Sequence, residues 1–261
     1  MYNIKCDVHT HLLSLFGEVS LDEIAKAADM AGIELIADTK GFSSLVVSSD
    51  EDMRVHGLFK EKDDVKIAES KVNILQGCDV NIASPEGYLF GIGLPVCKEK
   101  REDAFNNLRD IVKAANMPDF LVAQASKRLG LYGINSMDAT KMFIKVAEDP
   151  RILMLSYLGR CNINFEVNEL LNRLRELGKP IAISEKSLTI SDDITNRVRK
   201  IMEKCAQLSV MVCICSEAQS IDGIGNFEEV KKLLLEIDFP GDLIMNRDAE
   251  TFLAKYKAAG F

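Results

Sequence analysis

Residues 152–215 read ILMLSYLGRCNINFEVNELLNRLRELGKPIAISEKSLTISDDITNRVRKIMEKCAQLSVMVCIC, and this stretch decides the fold class. Apolar runs at 152–155, 180–183 and 210–215 are short and bounded by charges or turn formers, the pattern of buried strands. Between them, 165–177 and 192–208 repeat their apolar residues at helical spacing. Strand, helix, strand, helix, strand is the βαβ arrangement, in which a helical crossover makes neighbouring strands parallel. The alternation continues outward in both directions. Further strand-like runs fall at 2–6, 34–37, 72–75, 120–123 and 243–245, and helical segments at 21–31, 101–115, 138–148, 227–237 and 249–259. Ser136 or Asp138 is placed to cap one helix and Ser191 the next, and Asn226 with Glu229 reads as a capping box.

This succession of βα units implies an α/β protein whose parallel sheet is closed, or nearly so, into a distorted TIM-like β/α barrel of about seven strands. A doubly wound open sheet is the competing architecture. No linker, shift in composition or internal repeat divides the chain, so 1–261 is expected to be a single domain. The least regular stretches, 39–64 and 85–100, are long enough to be functional loops. Gly87, Gly91 and Gly93 follow no strand and open no helix, which sets aside a phosphate loop.

Composition narrows the function classes. With 32 basic and 40 acidic residues the net charge is −8, the wrong sign for a nucleic-acid binder. No apolar run approaches the ~18–20 residues of a membrane span, and no leader-like segment precedes the first strand, so a cytoplasmic protein is expected. The seven cysteines (Cys6, Cys78, Cys97, Cys161, Cys205, Cys213, Cys215) are odd in number and mostly lie in apolar runs, as reduced, buried thiols do. Cys213 and Cys215 share a strand face, where packing is the expected use. Only three histidines are present, which caps any imidazole-based metal centre.

Parallel barrels carry their sites at the carboxyl ends of the strands. There this chain offers Asp7, His9 and His11, then Asp38 and Lys40, Asp79, Gln124 and Ser126, and later Ser156, Tyr157, Ser184, Glu185, Glu217, Gln219 and Asn246. The strongest local signal is Asp7-Val8-His9-Thr10-His11. Strand alternation would point Asp7, His9 and His11 to one side, so two imidazoles could grip one divalent ion while Asp7 orients a ring. The competing reading is an exposed strand end that happens to hold two histidines.

An opening strand that runs into D-x-H-x-H resembles the PHP (polymerase and histidinol phosphatase) phosphoesterases. The resemblance continues through Leu75-Gln76-Gly77-Cys78-Asp79-Val80-Asn81-Ile82, similar to the family's L-x-G-x-E-x-N-I. It extends to Ser216-Glu217-Ala218-Gln219 in place of S-D-x-H, and to Phe239-Pro240 followed by Asn246. The amidohydrolases open similarly but need later histidines, and none lies beyond His56.

The departures are as specific as the matches. Where family members carry further imidazoles, this chain has Phe16 or Gly17, Lys40, Ser126, Tyr157 and Gln219. The resemblance implies that one metal of the family's cluster keeps matching ligands, His9, His11, Asp79 and Glu217. That set of two nitrogens and two carboxylates suits Zn²⁺, Mn²⁺ or Fe²⁺. Carboxylates left without their metals need another cation. Lys40 and Arg160 are the candidates, neutralising Asp79 or Glu217 and clamping a phosphate. The competing reading of both is a solvated side chain. Asp38 and Glu185 are placed for acid–base work by position alone, and Tyr157 for hydrogen bonding. His56 sits in an irregular loop.

Two functions follow. One is a PHP-like metal-dependent phosphoesterase with a reduced, single-metal site, acting on a small phosphorylated substrate. The other is a catalytically inactive PHP-like protein that binds a ligand or partner in the inherited pocket; the site would then hold one divalent metal or none. Neither requires a membrane or nucleic acid.

Overall fold

Seven strands pair in the order in which they occur in the chain. They are β1 (Cys6–Thr10), β2 (Leu35–Phe42), β3 (Asn73–Asn81), β4 (Phe120–Gln124), β5 (Ile152–Ser156), β6 (Ile181–Ser184) and β7 (Val212–Cys215), and every pairing is parallel. This computed structural model describes residues 2–12, 19–42, 71–90, 119–125 and 131–261, the side chains of Lys40 and Phe42 excepted. The expected helix at 101–115, most of the 39–64 and 85–100 loops, His56 and Ser126 lie outside the described residues.

The described helices are α1 (Leu21–Met30), α2 (Ser136–Glu148), α3 (Val167–Leu177), α4 (Glu185–Leu188), α5 (Asp192–Leu208), α6 (Glu228–Glu236) and α7 (Ala249–Ala258). Most of their starts follow from side-chain oxygens that take up otherwise orphaned amides, α3 being an exception. Ser191 caps α5, as its place before the helical period suggests, whereas α2 is capped by Asn135 rather than by Ser136 or Asp138. Ser20 and Glu23 form a reciprocal capping box at α1. Gly178 ends α3 at φ 64°, a left-handed conformation that glycine adopts without steric cost.

Sequential pairing excludes the doubly wound alternative, whose strand order must reverse. The sheet curls until β7 approaches β1, and the two are joined at both ends. At the carboxyl end Glu217 N–H donates to His9 O (3.1 Å) and His11 N–H to Ala218 O (2.8 Å). At the other end residues 244–247 wedge in, with Met245 N–H on Val212 O and Lys5 N–H on Arg247 O. The run expected as an eighth strand at 243–245 is thus reduced to a 3₁₀ turn, Gly241–Leu243, and one parallel bridge, Val212 to Ile244. Between these ends the Asn246 side chain fills the gap. Its Nδ2 donates to Cys6 O (2.7 Å) and Ile214 O (2.6 Å), and its Oδ1 accepts from Ile214 N–H (2.8 Å). An amide does here what an eighth strand's backbone would do.

Two apolar layers hold this arrangement. Outside the sheet, Ile36, Leu121, Ile181 and Ile183 pack with helix residues such as Phe143, Leu174, Met202 and Leu234. Inside, Cys6, Val8, Leu35, Phe120, Val122, Met154, Cys213, Cys215 and Met245 form a second cluster with Phe252 of α7. Cys213 and Cys215 are thus packing residues, and burial pushes the Cys213 thiol far above its usual range. Tyr256 stacks with Phe252 and Phe261 and donates from its hydroxyl to Asp119 O, just before β4. Thus α7 covers the end where the strands begin. Gly77 permits close approach on β3: a Cβ there would lie 2.7 Å from Thr39 Cγ2 and 3.0 Å from the Phe120 ring. Among the described residues no helix is long and apolar enough to cross a membrane.

Candidate metal centre

Strict alternation along β1 would defeat the site. Cys6 and Val8 belong to the interior cluster, so His9 would point outward. The β1–β2 register prevents this: Asp7 lies opposite Ile36 but Thr10 opposite Asp38, one extra residue in β1. Such a bulge re-aims the side chains that follow it. His9 and His11 turn together toward β3 while the Thr10 hydroxyl donates to Ala37 O.

The bulge also separates Asp7 from the role expected of it. Its carboxylate orients no histidine ring but accepts from Ser216 N–H and Gly225 N–H, each at 3.0 Å. Burial still holds this carboxyl above its ordinary range, against those hydrogen bonds and the nearby His9. Asp7 thus fixes the chain leaving β7.

His9, His11 and Asp79 each present a ligand atom within 4.8 Å of the others. His9 Nε2 is 3.3 Å from Asp79 Oδ2. His11 Nδ1 lies 2.8 Å from Thr39 O; a carbonyl only accepts, so Nδ1 carries the proton and Nε2 holds the neutral ring's lone pair. That Nε2 faces the Tyr157 hydroxyl at 3.3 Å, which is 3.4 Å from Asp79 Oδ2. Among the described residues His9 Nδ1 and Asp79 Oδ1 are buried without a hydrogen-bond partner. A buried carboxylate oxygen in that state is costly unless something positive meets it. Together the three side chains could hold a metal ion.

Electrostatics divide the two imidazoles. Burial alone would lower His9, but Asp79, then Glu217 and Asp7, outweigh it and hold the ring above its ordinary value. His11 is pushed down by burial and by His9. Burial, with Asp79 and Glu217, holds the Tyr157 phenol well above its usual range, so it stays a donor.

Glu217 stands beside this group with its carboxylate engaged. Arg160 Nη1 donates to Oε1 at 2.9 Å and to Oε2 at 2.7 Å, and the guanidinium lies 4.3 Å from the Tyr157 ring centroid. The pair's side chains are 24% and 3% exposed, so Arg160 is no solvated surface residue. Both turns that bring these groups in are left-handed at a non-glycine residue, Tyr157 at φ 59° and Glu217 at φ 55°. Such backbone costs on the order of 1–3 kcal/mol each and concentrates at functional sites. Lys40 occupies β2 opposite Cys78 by its backbone, and its side chain lies outside the described residues.

The residues expected for acid–base work do other things. Asp38 Oδ1 accepts from Leu12 N–H at 2.6 Å. Glu185 accepts from Glu229 N–H (2.8 Å) and Val230 N–H (2.9 Å), so it caps α6 from across the fold, where Asn226 and Glu229 were expected to form a box. Glu185→Ala should destabilise the protein by about 1–2 kcal/mol in urea unfolding, as loss of a helix cap does. An unchanged midpoint would remove that role. Neither the Asp7 clamp nor the Glu185 cap has a local signature, because their partners lie more than 40 residues away.

No family profile matches the chain. It is 25% identical to a probable phosphatase of Clostridium acetobutylicum, covering 97% of this chain and 95% of that protein. It is 23% identical to a probable phosphatase of Acetivibrio thermocellus, covering 94% and 92%. Among solved structures it resembles histidinol phosphate phosphatase from Lactococcus lactis, determined with zinc, L-histidinol and phosphate. That likeness has a TM-score of 0.51 and 12% identity over 92% of this chain and 95% of the other. A chain of an archaeal ribonuclease P with mature tRNA matches at TM-score 0.53 and 12% identity, over 97% and 90%. At these identities the solved structures establish a shared fold, a TIM-like barrel, and the near-full-length relatives are named as phosphatases.

Proposed function

We propose that this chain is a PHP-like, metal-dependent phosphoesterase with a reduced, single-metal site acting on a small phosphorylated molecule. The observation that carries this reading is the convergence of His9, His11 and Asp79 at the carboxyl ends of the strands, with an unpartnered Asp79 oxygen among them. Relatives named as phosphatases over nearly the whole chain support the reaction class. His9, His11 and Asp79 would hold one Zn²⁺, Mn²⁺ or Fe²⁺, with Glu217 at its border. When bound, such an ion supplies Lewis acidity and an acidified water.

The chain's own groups set the surroundings. Thr39 O holds His11 in the tautomer that directs Nε2 inward. The Tyr157 hydroxyl points its one proton toward Asp79 Oδ2, with His11 Nε2 also within 3.3 Å of it. Arg160 brings a fixed positive charge beside the buried carboxylates, where it would help to hold a phosphate oxygen.

The test is metal analysis of chelator-washed protein refilled with Zn²⁺ or Mn²⁺, with phosphate release measured on a panel of monoesters. The expected result is about one ion per chain and turnover, both lost in His9→Ala and Asp79→Ala. Protein that retains no metal and releases no phosphate would overturn this reading.

A further inference from the structure

We infer that Arg160 holds Glu217 out of the metal's ligand set, weakening metal binding while keeping a coordination position open. The inference rests on the reading that His9, His11 and Asp79 take a metal. Three observations carry it. First, both Glu217 oxygens are bonded to one Arg160 nitrogen, at 2.9 and 2.7 Å, so an ion that took either oxygen would have to share it with the guanidinium or displace it. Second, Glu217 is anchored beside the donors, its backbone N–H bonded to His9 O at 3.1 Å. Third, Arg160 is itself held: its guanidinium lies on the Tyr157 ring, and Tyr157 reaches back to His11 and Asp79.

The consequence is competition. A guanidinium and a divalent ion beside one carboxylate repel each other while each offers it the same neutralisation. An ion that recruited Glu217 would have to break a buried, charge-assisted contact. With the contact intact, a bound ion would have three protein ligands, the number found in catalytic zinc sites; with Glu217 added it would have four, the number found in structural ones. Arg160 therefore trades affinity for access.

The experiment is calorimetric titration of Zn²⁺ into chelator-washed protein, with Co²⁺ absorption spectra as a report on coordination. Arg160→Gln should bind Zn²⁺ about tenfold more tightly than the unaltered protein, the scale of effects seen when a ligand's neighbours change. Its Co²⁺ spectrum should shift as a carboxylate joins. Arg160→Gln combined with Glu217→Gln should return affinity and spectrum to those of the unaltered protein. If Arg160→Gln does not fold, Arg160→Lys preserves the charge but loses the planar guanidinium, and a smaller gain in affinity is expected. Unchanged or weaker binding in the folded Arg160 variant, with binding still lost in His9→Ala, overturns the inference and leaves the metal site standing. Absence of binding in both the unaltered protein and the Arg160 variant overturns both.

Discussion

Asn246→Leu should destabilise the protein by about 3 kcal/mol or more, because it leaves buried polar groups without partners at ~1–3 kcal/mol each. The groups are Ile214 N–H, Ile214 C=O and Cys6 C=O, all bonded to the Asn246 amide, which is wholly buried. Leucine shares asparagine's branching and is bulkier, so no cavity opens and the loss reports the broken hydrogen bonds together with any overpacking. For a chain of this size the melting temperature should fall by roughly 6–12 °C. Urea unfolding followed by circular dichroism gives the free energy directly. A change below about 1 kcal/mol, the net worth of one ordinary hydrogen bond, would show that β1 and β7 do not depend on this clasp. The effect is large because, among the described residues, no eighth strand shares the load. Residues 244–247 supply backbone contacts at one end of the seam, the turn after β7 supplies them at the other, and the amide spans what lies between.

The strand misreadings share a physical origin. Apolar runs predict strands at 2–6, 34–37 and 72–75, whereas β1, β2 and β3 extend to Thr10, Phe42 and Asn81. Each continues at its carboxyl end through polar residues: Asp7, His9 and Thr10; Asp38 and Thr39; Gln76, Asp79 and Asn81. Hydrophobicity marks strands because burial favours apolar groups, and a site buries polar ones against that preference. Away from the site the reading is closer: 152–155 and 192–208 match β5 and α5 to within a residue. The bulge in β1 was not legible, since its signature is a pairing register. The Arg160–Glu217 contact spans 57 residues and has no periodicity to betray it. The capping box at Ser20 and Glu23 has the local signature S-x-x-E, whereas the similar spacing of Asn226 and Glu229 forms no box.

Arg160→Met should cost about 3–5 kcal/mol, the penalty of breaking a buried ion pair from one side. Glu217 is 3% exposed, and its carboxylate would be left without the guanidinium that touches both of its oxygens. The double change Arg160→Met with Glu217→Leu should recover most of that loss, because a buried pair replaced by apolar groups is often neutral or stabilising. The cycle is measured by urea unfolding of chelator-washed protein, so that metal binding contributes nothing. If the double variant is as unstable as the single one, the pair is part of what holds the turns after β5 and β7, and its presence needs no functional account. Recovery points the other way. The fold would then be carrying two left-handed residues, Tyr157 and Glu217, and a desolvated ion pair that its stability does not require. Such a cost, placed a few ångströms from two imidazoles and an unpartnered carboxylate oxygen, is explained by the chemistry of the site.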